Sequence, residues 1–122
     1  MNQYIKAYRR ATADADTPAK RLDAVFERSI LECRRAMELI KVRDAAGKGA
    51  AINRAVDLVT ELVAALDRDM APELCERLAG LYMFVLNRLG DANIKFSVEP
   101  ILETVTILEN LRDAFAEAAR AQ

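Results

Sequence analysis

The chain has 122 residues, a formal net charge of −1 and no histidine. This length is enough for one domain with one core, and the balanced charges argue against electrostatic binding to nucleic acid or to an anionic membrane. The absence of histidine excludes a histidine general base and a histidine-ligated metal site.

Residues 1–17 are predicted to form an N-terminal arm and linker, and residues 18–122 a bundle domain. Tyr4, Ile5 and Tyr8 have the spacing of one or two helical turns. The small and polar residues that follow, up to Thr17, indicate a linker.

The first long helix is predicted from about Pro18 to Ala46. Thr17 is a suitable N-cap, and proline is favoured at the first helical position. Apolar residues at three-four spacing define its core face. They are Leu22, Val25, Phe26, Ile30, Cys33, Met37 and Ile40. The sequence Gly47-Lys48-Gly49 is predicted to end this helix, because glycine accepts the left-handed C-terminal conformation.

The second helix is predicted from about Ala50 to Asp67, with Leu58 and Leu62 on one flank of its core stripe. That stripe consists of Ile52, Val56, Val59, Val63 and Leu66.

The third helix is predicted from about Pro72 to Lys95, and the fourth begins after Ser97, a suitable N-cap. Their core faces consist of Leu74, Leu78, Leu81, Tyr82, Val85 and Leu89, and of Ile101, Val105, Leu108, Leu111, Phe115 and Ala118. Four amphipathic helices with short connections predict an all-α, antiparallel up-down-up-down four-helix bundle with a short N-terminal arm.

No residue pattern points to catalysis, a cofactor or a metal. Ser29 lies in a core stripe and lacks a base to activate it. Cys33 and Cys75 are far apart, which predicts two buried thiols in a reducing compartment. No apolar run is long enough to span a membrane, and the N-terminus lacks a signal-peptide core. We therefore expect a cytoplasmic protein of the cytosol that is not an enzyme and needs no cofactor.

Some apolar side chains miss the predicted core faces. Met83 and Phe84 point roughly 100–160° away from the core face of the third helix. Other apolar residues lie off or at the edge of a core face on the remaining helices: Leu31, Leu39, Val42, Leu58 and Leu102. Either a wide helix face is buried between two neighbours, or these residues line a groove for an amphipathic partner helix.

Five short motifs occur in the same order as in a known protein family. They are Leu66-Asp67, Leu81-Tyr82-Met83-Phe84, Arg88-Leu89, Ala92-Asn93-Ile94 and the segment from Leu108 to Ala118. In these motifs the chain resembles the FliS family of flagellar export chaperones, and the resemblance covers nearly the whole length of the chain. The first helix departs from the family pattern, since Arg28 stands where a glycine is expected.

The resemblance implies a cytosolic chaperone without catalytic activity. It would bind the disordered C-terminal segment of flagellin, prevent premature polymerisation and aid delivery to the flagellar type III export apparatus. Further candidate partners are the export gate components and a second copy of the chain. The alternatives are a related helical secretion chaperone or export cofactor with a different client, and a structural homodimeric bundle.

The resemblance also implies candidate partner-binding residues. Tyr4, Ile5 and Tyr8 match the N-terminal arm of the family, which would cover part of a groove. The groove candidates are Leu58, Leu62, Leu81, Met83 and Phe84. Leu81 and Phe84 fall within a matching motif, and the other three rest on helical-wheel geometry.

Overall fold

Four long helices form a ring in the computed structural model. The structure describes residues 2–9 and 18–121, and the side chains of residues 18–21 are not described. The helices are α1 (Gln3–Ala7), α2 (Pro18–Lys41), α3 (Ala45–Ala64), α4 (Pro72–Lys95) and α5 (Glu99–Arg120). Helices α2 to α5 each pack against the next, and α5 packs back on α2. Because the connections are short, neighbours run antiparallel, and the predicted all-α bundle is confirmed. The predicted linker and the Thr17 cap lie outside the described residues.

The core faces of α2, α4 and α5 agree with the prediction, apart from residues at their margins that are half-buried. In α3 the buried face is rotated from the predicted one. Val56 and Val63 are half-buried, whereas the flank with Leu58 and Leu62 is buried. Helix α3 packs more extensively on α2 than on α4, and its small buried alanines allow that close approach.

The turn between α2 and α3 differs from the prediction. Helix α2 ends at Lys41, where the N–H of Asp44 donates to Leu39 and that of Arg43 to Ile40. This is a Schellman ending, with Arg43 in the left-handed conformation at φ 58°. The Asp44 side chain then accepts the N–H of Gly47 at 2.9 Å and caps α3. The Gly47-Lys48-Gly49 sequence therefore starts α3, and the prediction that it ends the preceding helix is wrong.

The turn between α4 and α5 also corrects one prediction. Helix α4 has the predicted bounds, and Phe96 follows it in the left-handed conformation at φ 53°. Ser97 does not cap α5, because the cap position is Val98, which makes no side-chain cap bond. Glu99 and Pro100 occupy the first turn of α5.

These two turns meet at one end of the bundle. The Lys48 ammonium, on a residue only 6% exposed, donates to the backbone and side-chain oxygens of Asn93, both at 2.8 Å. It also lies 4.0 Å from the centre of the Phe96 ring. A buried lysine thus ties the start of α3 to the end of α4.

Helix α1 packs on α4 and α5, where it contacts the first turn of α4 and the C-terminal half of α5.

Candidate functional site

Helix α1 is the predicted N-terminal arm, and it is docked on the bundle. Asn2 caps it by accepting the N–H of Tyr4 at 2.8 Å. The rings of Tyr4 and Tyr8 meet Phe115 edge-on, with centroids 5.0 and 5.1 Å apart. Phe26 of α2 stacks on the same ring at 5.7 Å. The arm therefore completes an aromatic cluster that α2 and α5 build only in part.

Hydrogen bonds hold α1 to the end of α3. The hydroxyl of Tyr8, which is fully buried, donates to the carbonyl of Leu62 at 2.9 Å. It also lies 2.8 Å from the Tyr82 hydroxyl. A phenol has one proton, so Tyr82 must donate to Tyr8 while Tyr8 donates to Leu62. The N–H of Asp67 donates to the carbonyl of Ala7 at 2.7 Å. We call the space that Ala7 and Tyr8 occupy among Leu62, Asp67 and Tyr82 the arm slot.

Burial controls the ionisation of the groups in the arm slot. It raises the pKa of both phenols, so that Tyr8 and Tyr82 stay neutral and keep their protons for hydrogen bonding. It also raises the pKa of the Cys75 thiol, whose sulfur lies 3.4 Å from the Asp67 carbonyl and 4.0 Å from that of Ala7. Cys75 thus lies directly beneath the arm.

The second cysteine lies away from the arm. Cys33 is fully buried in α2, and burial raises the pKa of its thiol to about 12. Both cysteines are free thiols without solvent exposure, as the sequence predicts.

The eight predicted partner-binding residues do not form one continuous surface. Tyr4, Tyr8 and Leu62 belong to the docked arm and its slot, and Ile5 is half-buried on the arm. Leu62 is accordingly covered in this state of the chain. The other four residues lie elsewhere on α3 and α4.

Met83 and Phe84 are exposed on α4, at 52% and 46%, and they diverge by roughly 100° around the helix. An ion pair between Arg88 and Glu103, at 2.6 Å, marks the side of α4 that faces α5. Leu81, which is half-buried, and Phe84 lie toward that side.

Met83 lies toward α3, on the same side of α4 as Ile94, eleven residues later. Ile94 is the most exposed of the large apolar residues, at 83%. Our sequence analysis did not include it in the groove, although its spacing of three helical turns from Met83 could have indicated it. The exposed apolar surface of α4 therefore has two sides, one toward α5 and one toward α3.

Leu58 lines a different feature, a cleft of about 460 Å³ between α2 and α3. Leu31 and several charged side chains line the same cleft. Leu58 is thus buried between neighbouring helices, which is the first of the two alternatives in the sequence analysis, whereas Phe84 is exposed and does not follow that alternative.

A buried carboxylate stabilises that cleft. Glu32 is 5% exposed and forms ion pairs with Arg35, at 2.9 Å, and with Arg54 of α3. Burial pushes the pKa of Glu32 upward, but the hydrogen bonds and charges of the two arginines outweigh it, and the net pKa is lowered. Glu32 therefore stays ionised and joins α2 to α3.

Neither a metal-binding cluster nor a membrane-spanning helix occurs among the described residues. Within residues 2–9 and 18–121, no group of acidic or thiol side chains is placed to hold a metal ion. In the same part of the chain, no helix combines the length and the apolar character needed to cross a membrane.

Comparison with known proteins gives a consistent result. The profile of the family described as "Flagellar protein FliS" matches residues 1–122. The flagellar secretion chaperone FliS of Salmonella typhimurium strain LT2 is 25% identical over 118 residues, which cover 93% of this chain and 87% of the relative. Its counterpart in Campylobacter jejuni strain 81116 is 26% identical over 116 residues, or 95% and 91% of the two chains. The protein of the same name in Escherichia coli K12 is 30% identical over 73 residues, which cover 59% of this chain and 54% of the relative. Because the family profile matches from the first residue to the last, this chain belongs to the FliS family of flagellar proteins.

Proposed function

We propose that the chain is a flagellar export chaperone that binds the disordered C-terminal segment of flagellin in the cytosol. Binding prevents premature polymerisation of the subunit and aids its delivery to the flagellar type III export apparatus. The names of the relatives, which are flagellar secretion chaperones, support this proposal. A family of chaperones is not a family of enzymes, in agreement with the sequence-based expectation.

The observation that carries the proposal is that a five-residue helix occupies a slot formed by α4, α5 and the end of α3. Helix α1 packs against α4 and α5 and precedes α2 in the chain. A helix this short gains little from its own hydrogen bonds, so most of its stability comes from docking. A longer helix from a client has more surface with which to replace it.

The exposed apolar residues of α4 extend the surface available to a client. Met83 and Phe84 follow Tyr82, the residue of α4 that holds the arm. Because Met83 and Phe84 lie about 100° and 200° around α4 from Tyr82, a client in the arm slot reaches them only with a further segment that wraps around α4. Met83 adapts its shape to such a partner. A segment that folds only on binding covers a large surface and yet remains exchangeable, which suits an export chaperone.

A calorimetric titration with a peptide of about 40 residues from the C-terminus of a cognate flagellin tests the proposal. We expect saturable one-to-one binding, a gain in helical circular dichroism and a negative heat-capacity change. Binding to Phe84→Asp should be weaker by about 1 kcal/mol or more, with helicity retained. The matched control is Val42→Asp, which introduces the same charge at an exposed apolar residue of the distant α2–α3 turn.

Two results would contradict the proposal or part of it. If the well-folded protein does not bind the peptide, the flagellin assignment is wrong and a different export client must be sought. If Phe84→Asp and Val42→Asp bind the peptide equally well, the client does not use Phe84. Sedimentation at several concentrations would separately show whether the free protein forms the homodimer considered above.

A further inference from the structure

We infer that the arm slot selects its occupant by hydrogen-bond chemistry as well as by apolar contact. The segment that replaces α1 must end in a short helical turn. The residue just after the last carbonyl of that turn must carry a side chain that both donates and accepts, namely a hydroxyl, a primary amide or a neutral imidazole. This inference rests on the proposed function, in which a client displaces α1.

The first argument is the position of the Leu62 carbonyl. It belongs to the last turn of α3, where carbonyls lack the partner that the interior of a helix provides. Leu62 is 2% exposed, and the Tyr8 hydroxyl donates to its carbonyl. When α1 leaves and a client covers the same place, the client must supply a donor here.

The second argument is the direction of the bonds. Since Tyr8 gives its only proton to Leu62, the Tyr82 hydroxyl donates to the Tyr8 oxygen. A replacement for Tyr8 must therefore accept from Tyr82 and donate to Leu62. Hydroxyl groups and primary amides do both, whereas a carboxylate only accepts and an ammonium only donates. A neutral imidazole also does both. The residues that meet this requirement are therefore serine, threonine, tyrosine, asparagine, glutamine and neutral histidine.

The third argument fixes the register of the occupant. The N–H of Asp67 donates to the carbonyl of Ala7, one residue before Tyr8. The ring of Tyr4, four residues before Tyr8, packs edge-on against Phe115. The occupant should repeat this spacing relative to the residue that replaces Tyr8. Four positions before that residue it should have an apolar or aromatic side chain, as at Tyr4, and one position before it a carbonyl at the end of a helix, as at Ala7.

Double-mutant cycles between the client and the slot test this inference. The scan covers each residue of the six eligible types that has an apolar residue four positions before it in the flagellin peptide. Each of these residues is replaced in turn by alanine, or by phenylalanine where it is tyrosine. Every peptide is titrated against the wild type, Tyr82→Phe and Tyr4→Phe. Tyr82→Phe removes one buried hydroxyl and keeps the ring. Tyr4→Phe is the matched control, since it removes a hydroxyl from the arm and leaves the slot unchanged.

We expect one peptide position whose replacement weakens binding to the wild type by roughly tenfold, the effect of leaving a buried polar group without a partner. The same replacement should have a smaller effect with Tyr82→Phe, in which only the Leu62 carbonyl is left without a partner, and its full effect with Tyr4→Phe. Circular dichroism of each variant verifies that the bundle is folded. The cycle measures only the coupling, so any change in the competition from the arm cancels.

Two other outcomes would refute the inference in distinguishable ways. If the wild type binds the peptide and no position couples to Tyr82, the slot recognises its client by apolar contact or through water, and the inference is wrong while the proposed function stands. If the wild type does not bind the peptide at all, the proposed function fails, and the specified client residue fails with it.

Discussion

At the scale of single residues, the hydroxyls of Tyr8 and Tyr82 meet at 2.8 Å and join the arm to α4. The arm residues Tyr4 and Tyr8 were predictable as an aromatic pair one helical turn apart. The bond between Tyr8 and Tyr82 was not, because it joins positions 74 residues apart and depends on how the arm docks. Local spacing predicts which residues share a helix face, and it contains no information on distant hydrogen bonds.

Glu32 is a second residue whose role only the tertiary structure reveals, and its pKa gives a pH-dependent prediction. The pKa of Glu32 is lower in the folded protein than in the unfolded chain. The charge of Glu32 therefore stabilises the fold fully at pH values above the unfolded-state pKa, and this stabilisation is lost as pH falls through the folded-state pKa. We expect Glu32→Gln to lower the free energy of unfolding by about 1–3 kcal/mol at neutral pH, because Arg54 loses its charged partner. The difference between the unfolding free energies of the two proteins in urea should shrink as pH falls below the unfolded pKa of about 4.3 and vanish below the lowered folded pKa.

A matched control for Glu32→Gln is Glu38→Gln, on the same helix. Glu38 is exposed, and its ion pair among the described residues is with Lys41, at 3.3 Å. Its replacement should therefore change the unfolding free energy by less than about 0.5 kcal/mol. If Glu32→Gln costs the same at pH 3 as at pH 7, the stabilisation comes from packing and not from the charge.

At the scale of the elements, the sequence predicted helix identity well and some helix ends poorly. Helix α4 was predicted with its observed bounds, because Pro72 starts it in a favoured position. The first helix was extended too far, because glycine at position 47 looked like a helix end. The chain ends α2 at Lys41 and places Arg43 in the left-handed conformation, and no sequence rule favours arginine there.

The capping role of Asp44 gives an element-scale prediction. Asp44→Ala removes the acceptor for the N–H of Gly47, and we expect the free energy of unfolding to fall by about 0.5–2 kcal/mol. Chemical denaturation followed by circular dichroism measures it. Asp57→Ala removes an exposed aspartate from the interior of the same helix and should change the value by less than about 0.5 kcal/mol. Equal losses in the two variants would mean that Asp44 does not act as a cap.

At the scale of the whole molecule, the two ends of the bundle differ in how they are closed. At one end, Lys48 bonds to Asn93 and lies against the Phe96 ring, so that end is closed by side chains of the bundle itself. The other end is closed by α1, which is held by a few hydrogen bonds and by the contact of its two tyrosines with Phe115. We expect the α1 end to open at the lower cost in free energy, because a five-residue helix gains little from its own hydrogen bonds and depends on its docking contacts.

The two cysteines make that opening measurable in the unmodified chain. Cys75 lies beneath α1 and Cys33 lies within α2, and both are fully buried. If α1 opens locally, a thiol reagent should modify Cys75 much faster than Cys33, whose labelling requires a larger unfolding event.

Tyr8→Ala should accelerate labelling of Cys75 by about tenfold or more relative to Cys33, since it removes a buried aromatic anchor of the arm. Mass spectrometry of the labelled peptides gives both rates in one sample, so Cys33 controls for global destabilisation. Equal acceleration at the two thiols would show that α1 unfolds only with the whole bundle, and a client could then not displace it alone.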